Sequence, residues 1–223
     1  VVDPEFDLSN EAFPFMACGE VAVCGGLRAR LFRISFSGEL AYELAVPARY
    51  GDALIRRIMQ VGEPYDIVPY GTEALGVMRI EKGHAAGNEL NGRTTALNLG
   101  LGRMESSTKD GIGSVLSRRE GLTNPDAVIQ VGFKPINEAD MLDAGAHLMR
   151  VGDPVNAAHD QGYVTSVCYS PCLGHSIGLG FLTNGSDRIG EIIRAVNPLQ
   201  GRETLVEVVS PHFIDPKGER LHA

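Results

Sequence analysis

The part of the chain after residue 127 consists of short apolar, β-branched runs separated by turn residues, and this pattern restricts the fold more than any other feature. Glycine, proline, asparagine and aspartate mark the turns. The predicted strands are residues 128–133, 146–150, 162–169, 176–182, 189–196 and 205–209. Six short strands in succession predict a small barrel.

Residues 20–46 also follow the two-residue period of β-strands, which are predicted at 21–23, 27–36 and 40–46. A glycine pair separates the first two strands. If residues 37–39 form a three-residue hairpin loop between the last two, Arg33 lies directly opposite Glu43.

Two helices are predicted to follow these strands. The first begins after Pro47 and ends at Gly62, because apolar residues recur between them every three or four positions. The second spans residues 72–82 and ends at Gly83, with an acidic first turn and a basic last turn. Strands and helices in this order predict an α+β fold.

The predicted domain organisation has three parts. Residues 1–108 form the α/β domain, and residues 127–223 form the barrel domain. Between them, residues 109–126 are polar and contain glycine, so we interpret this segment as a linker.

Composition excludes several classes of protein. The formal net charge of -8 offers no general attraction for nucleic acid or for anionic lipid. No apolar stretch approaches the ~20 residues needed to cross a bilayer, and no charged-then-apolar leader opens the chain. Four scattered cysteines are expected to be reduced, without a metal site, in a cytoplasmic protein. No glycine pattern for NAD binding is present.

Glu43 is the residue with the clearest chemical potential, because its strand neighbours on the polar side are small. A carboxylate can accept two parallel N–H bonds, and the 2-amino and N3–H edge of a pterin offers such a pair. The alternative is a cross-strand ion pair with Arg33, which would contribute less than about 1 kcal/mol if exposed. The pattern alone leaves both interpretations open.

Three sequence blocks resemble the glycine cleavage T-protein (aminomethyltransferase) family. Residues 33–44, RISFSGELAYEL, resemble its R-x-x-[YF]-[ST]-G-E-x-[GA]-[YV]-E segment. Residues 78–83, MRIEKG, resemble its L-R-L-E-x-G helix end. Residues 162–173, GYVTSVCYSPCL, resemble its G-x-V-T-S-x-x-x-S-P-x-L strands. The blocks occur in the family order and span nearly the whole chain.

The resemblance implies a partial aminomethyltransferase-type folate-binding α/β domain followed by a small C-terminal β-barrel. It implies tetrahydrofolate as cofactor and formation of 5,10-methylenetetrahydrofolate from an oxidised N-methyl group. Glu43 falls on the family's pterin-binding glutamate, and Phe36 falls on the aromatic residue before the turn. Arg33 and Phe213 complete the cofactor-binding residues that the resemblance implies. No residue is implied as catalytic, because a carboxylate that accepts two donors is held ionised and is a poor base.

The chain also departs from the family pattern. Leu75 stands where the T-protein has an arginine near its ligand, and an upstream aspartate of the family lies before the point at which this chain starts. We therefore expect the distal part of a longer subunit of an amine-oxidising enzyme, with FAD, FMN and NAD bound elsewhere and with other subunits as partners. The alternative is a non-catalytic scaffold that retains only the fold. An incomplete folate domain would expose apolar surface, so self-association is a further expectation.

Overall fold

A computed structural model describes residues 1–106, 108–109, 111–124 and 126–222. The chain forms two compact units. The N-terminal unit contains Val1–Met78 together with Asp215–Ala223, and the barrel unit contains Arg79–Ile214. These two units are defined by their compactness in space. The predicted linker at residues 109–126 is inferred from its polar, glycine-containing sequence, and it stays a prediction.

A three-stranded antiparallel sheet organises the N-terminal unit. Its strands, in spatial order, are β1 (Cys18–Val23), β2 (Leu27–Phe32) and β3 (Glu43–Ala45). Because side chains alternate between the two faces, one face carries a compact apolar core. Its buried members are Phe13, Val21, Val23, Ala29, Leu31 and Leu54. The other face lies outside this core.

Two helices follow the sheet, as the apolar spacing predicts. A 3-10 turn (Ala48–Tyr50) leads into α1 (Gly51–Gly62), which contributes Leu54 to the core. Helix α2 (Thr72–Lys82) has the predicted bounds, and its last four residues belong to the barrel unit. Gly83 follows with a φ of 79°, which is the left-handed conformation expected just after a helix.

Six antiparallel strands close into a barrel in the second unit, in the spatial order β4-β7-β6-β5-β8-β9. A short helix, α3 (Ser114–Ser117), precedes them. The strands are β4 (Val128–Pro135), β5 (His147–Arg150), β6 (Gly162–Ser170), β7 (His175–Thr183), β8 (Ile192–Asn197) and β9 (Arg202–Val209). The barrel is filled by apolar side chains that include Phe133, Leu148 and Val206, all fully buried.

The six-stranded barrel and the mixed helix and sheet content confirm the predicted fold class. Glycine permits a close approach of two strands: a Cβ at Gly180 of β7 would lie against the Tyr163 carbonyl of β6. Among the described residues, no helix combines the length and the apolar character needed to span a membrane.

Candidate functional site

Glu43 begins β3 and lies on the sheet face opposite the core. It pairs directly with Phe32, whereas the next pair along the sheet is Leu31 with Leu44. Leu31 is buried in the core, and Glu43 is exposed. Within the described ranges, the Glu43 carboxylate makes no hydrogen bond or ion pair. Two acceptor oxygens are therefore presented to solvent beside an aromatic side chain.

The predicted hairpin between β2 and β3 is wrong. The strands are joined by residues 33–42, which form bends rather than extended strands with a three-residue loop. Gly38 does adopt a turn conformation, with a φ of 87°, and its N–H donates to Ser35 Oγ at 3.0 Å. This hydrogen bond satisfies the Gly38 N–H without pairing to a neighbouring strand, which is consistent with strands that end before the turn.

The predicted pairing of Arg33 with Glu43 is also wrong. The partner of Glu43 is Phe32, and a one-residue change of register exchanges the two faces of a strand. Arg33 therefore follows Leu31 toward the core, where its Nη1 donates to the Phe13 carbonyl at 2.9 Å. Its exposed fraction is 2%. Among the described residues no ion pair joins Arg33 and Glu43, and the alternative interpretation of Glu43 is excluded.

Phe36 lies in the connection between β2 and β3, with 41% of its surface exposed. The same connection is held at Glu39, which pairs with Arg220 at 2.6 Å. Arg33 is the first residue of the connection and contacts its last residue, since the Arg33 guanidinium carbon lies 6.0 Å from the centre of the Tyr42 ring. Phe36 and Glu43 thus lie at the two ends of residues 37–42, a segment that the Glu39–Arg220 ion pair anchors within the N-terminal unit.

Phe213 lies in the barrel unit rather than in the unit that carries Glu43. Its ring packs against a small apolar cluster formed by Ile80, Ile177 and Leu179. Its backbone N–H donates to the Glu81 carbonyl at 3.0 Å. The observed contacts of Phe213 are those of a packing residue, and its contact with a ligand stays a prediction.

A buried charged network in the barrel unit was not anticipated from the sequence. The Arg79 guanidinium lies 3.1 Å from the Glu89 carboxylate and donates to Ser166 Oγ at 2.7 Å. Ser166 Oγ donates in turn to Glu89 at 2.7 Å, and Thr165 Oγ1 donates to the same carboxylate oxygen. Glu89 is completely buried. The network therefore connects the end of α2 with β6 through a charged residue that has no access to water.

The environment of Glu89 keeps it ionised. Burial by itself would raise the pKa of this carboxyl, but hydrogen bonds from Thr165, Ser166 and the Ala86 N–H, together with the Arg79 charge, outweigh burial. The net result is a pKa below the ordinary value. The arginine in the last turn of α2, together with the Thr-Ser pair within β6, is the sequence signal that could have revealed this network.

A second polar contact joins the same elements. Ser170 Oγ donates to the Glu81 carboxylate, and both residues are buried. Burial, reinforced by the negative charge of Glu81, raises the pKa of the neighbouring Cys168 thiol to about 12. Cys168 is thus neutral and unreactive near neutral pH. Both polar contacts join residues of the 78–83 block to residues of the 162–173 block, so these two separate sequence blocks meet inside the barrel unit.

Two family descriptions match consecutive parts of the chain. The GCVT N-terminal domain matches residues 1–109, and the glycine cleavage T-protein C-terminal barrel domain matches residues 130–215. A solved aminomethyltransferase T of the glycine cleavage system, from Bartonella henselae, shares the fold with a TM-score of 0.69 at 20% identity. That likeness covers 93% of this chain and 54% of the solved one.

Curated relatives fall into two groups. The chain is 45% identical to the sarcosine oxidase subunit alpha of Rhizobium meliloti (strain 1021) and 37% identical to that of Corynebacterium sp. (strain P-1), over 97% and 96% of its length. It spans only 22% of either relative. An aminomethyltransferase of Halothermothrix orenii is 30% identical over 85% of this chain and 51% of the relative.

Proposed function

Because the chain belongs to the glycine cleavage T-protein family, we propose that it is the tetrahydrofolate-binding module of a sarcosine oxidase alpha subunit. The observation that carries this proposal is the exposed Glu43 carboxylate, which has no partner among the described residues. An exposed acid beside small and aromatic side chains is suited to a flat ligand that offers two N–H groups.

In the proposed complex, Glu43 accepts hydrogen bonds from the 2-amino group and N3–H of the pterin. Phe36, on the adjacent connection, packs against the ring system. Arg33 acts indirectly, since its bond to the Phe13 carbonyl holds the start of that connection in place. Glu43 orients the ligand and transfers no proton, because two charge-assisted donors stabilise its ionised form.

The proposed reaction needs no cofactor on this chain other than tetrahydrofolate. A flavin on another subunit would oxidise the N-methyl amine and release formaldehyde or an iminium. Formaldehyde then condenses with N5 and N10 of tetrahydrofolate, which forms the methylene bridge of 5,10-methylenetetrahydrofolate and releases water. FAD, FMN and NAD would be bound elsewhere in a cytoplasmic enzyme, and the remaining subunits would be the protein partners.

A non-catalytic scaffold is the second candidate function. It is favoured by three apolar side chains, those of Met104, Ile112 and Val115, each of which exposes more than 75% of its surface. Exposed apolar surface is typical of sites that bind protein. Self-association of the chain through these side chains is part of this proposal.

Binding of tetrahydrofolate, measured by isothermal titration calorimetry, tests the proposed function. We expect Glu43→Gln to weaken binding at least tenfold, or about 1.4 kcal/mol, because the amide loses one acceptor and the negative charge. Glu11→Gln is the matched control, since Glu11 is also exposed and precedes the sheet. Equal affinities of the Glu43 and Glu11 variants would contradict the proposal and favour the scaffold.

A further inference from the structure

Two Asn-Gly steps occur in the chain, Asn91-Gly92 and Asn184-Gly185, and both lie in the barrel unit. At such a step the backbone nitrogen of the glycine can attack the carboxamide carbon of the asparagine, because glycine has no side chain to hinder the approach or restrict the backbone. The reaction needs a glycine nitrogen that is free of other bonds and a peptide group that can rotate. The two steps differ in how well they meet these conditions.

Asn91 and Gly92 lie in an exposed turn of the loop that follows α2. The Gly92 N–H makes no hydrogen bond with any residue that the structure describes, and a Cβ added at Gly92 would meet no atom within 4 Å. Asn91 Oδ1 accepts a hydrogen bond from the Arg93 N–H at 2.9 Å. Because this bond reaches past Gly92, it keeps the carboxamide beside the peptide group that contains the attacking nitrogen.

Asn184 is exposed as well, but Gly185 is buried. Gly185 begins a short 3-10 helix, and the Asp187 N–H donates to the Asn184 carbonyl at 3.0 Å. The protein is closely packed around Gly185, since an added Cβ would lie 2.8 Å from Val131 Cγ1 and 3.0 Å from the Ile129 carbonyl oxygen. Attack would require the peptide group between Asn184 and Gly185 to rotate, and this packing opposes the rotation.

We propose that Asn91 is a site of spontaneous deamidation, whereas the fold protects Asn184. The Gly92 nitrogen bonds to Asn91 Cγ, the bond from Cγ to Nδ2 breaks, and the amide leaves as ammonia with the proton that Gly92 loses. The product of this step is a succinimide ring. Water then opens the ring at either carbonyl, which gives aspartate or isoaspartate at position 91. The conversion consumes water, needs no oxidant and adds a negative charge.

The modified turn lies beside the buried Glu89. The Asn91 N–H donates to Thr94 Oγ1 at 3.1 Å, and Thr94 Oγ1 donates to the Glu89 carbonyl at 2.9 Å. The Thr94 N–H donates to the Asn91 carbonyl at 3.2 Å. In isoaspartate the main chain passes through Cγ, which lengthens the backbone between residues 91 and 92, so these bonds cannot keep their geometry. The isoaspartate form should therefore loosen the backbone that holds Glu89 against Arg79.

Peptide mapping by mass spectrometry tests the site on the 223-residue chain, incubated at mildly alkaline pH in the native state and, in parallel, in urea. In the native chain we expect isoaspartate to accumulate roughly tenfold faster at position 91 than at position 184, because packing restrains only the second step. In urea the two positions should convert at similar rates, since their local chemistry is then alike. Isoaspartate is the product to measure, because direct hydrolysis of the amide gives aspartate only.

Gly92→Ala is the matched variant. The added Cβ meets open space, so the fold should be retained, while the methyl group hinders the attack and should slow conversion at position 91 about tenfold. Asn91→Asp separates charge from backbone, because it introduces the carboxylate without lengthening the main chain. Hydrogen exchange of the amides of residues 89–94 should be faster in the isoaspartate form, and Asn91→Asp should resemble the unmodified protein.

The site is overturned if positions 91 and 184 convert equally fast in the native chain, or if Gly92→Ala leaves the rate at position 91 unchanged. The structural consequence is overturned if the isoaspartate form exchanges its amides no faster than Asn91→Asp does. None of these measurements involves folate, so their outcomes are independent of the proposed function.

Discussion

Replacement of Arg79 by methionine should destabilise the barrel unit strongly. The change removes the positive partner of Glu89, whose carboxylate is fully buried, while the methionine retains most of the apolar volume of the arginine stem. Thr165, Ser166 and the Ala86 N–H remain as neutral donors. A buried charge left without its counter-charge costs about 3–5 kcal/mol, and we expect a loss in that range.

The same variant should change the pH dependence of stability. In the native protein the Glu89 pKa is depressed, so its contribution to stability is present above the ordinary carboxyl pKa and is lost as pH falls through the folded-state value. Without Arg79 the folded-state pKa should rise, because burial then opposes ionisation with less compensation. The part of the stability that Glu89 loses on acidification should therefore be smaller in the variant than in the native protein.

Hydrogen exchange of the β6 amides, measured at increasing urea, reports the opening free energy of the barrel unit alone. Arg56→Met serves as the control, because the exposed Arg56–Asp52 pair should contribute less than about 1 kcal/mol. Arg79→Met/Glu89→Met should recover part of the loss, since no charge is then buried. A loss below about 1 kcal/mol for Arg79→Met would refute the reasoning.

The remaining predictions concern backbone and thiol chemistry. Gly83→Ala should lower the melting temperature and cost about 1–3 kcal/mol, because Gly83 has a positive φ and an added Cβ would collide with the Pro211 carbonyl. In contrast, a Cβ added at Gly76 within α2 meets no atom within 4 Å, so Gly76→Ala should stabilise the protein by up to about 1 kcal/mol. Equal shifts of the two variants in calorimetry would contradict the explanation. Cys168 should resist a thiol reagent at pH 8 because its pKa is about 12, whereas the exposed Cys18 should react. Peptide mapping that finds Cys168 labelled as fast as Cys18 would exclude the proposed environment.

The elements that could be predicted from sequence are those specified by local pattern. The bounds of α2 follow from its acidic start, its basic end and Gly83, all of which act within one or two turns. The barrel strands follow from β-branched runs and turn residues, and closure of the barrel removes the exposed edges that six such strands would otherwise have.

The arrangement of the candidate site depended on tertiary structure. Alternation in residues 27–46 identifies two strands, but it is compatible with neighbouring registers, and a shift of one residue sends Arg33 to the core and Glu43 to solvent. The contact between Ser35 and Gly38 lies in the connection that replaces the predicted hairpin, and the observed register pairs Phe32 with Glu43.

The sequence by itself determined which residue types are present at the two sites and which elements carry them. Only the tertiary structure decided their neighbours, because Arg79 and Ser166 are 87 positions apart and meet through the packing of the end of α2 on the closed barrel. Likewise, Arg30 and Glu43 share a face only because β2 and β3 pair in one particular register. Local propensities act over a few residues, whereas the burial of apolar surface selects among the long-range pairings that those propensities allow.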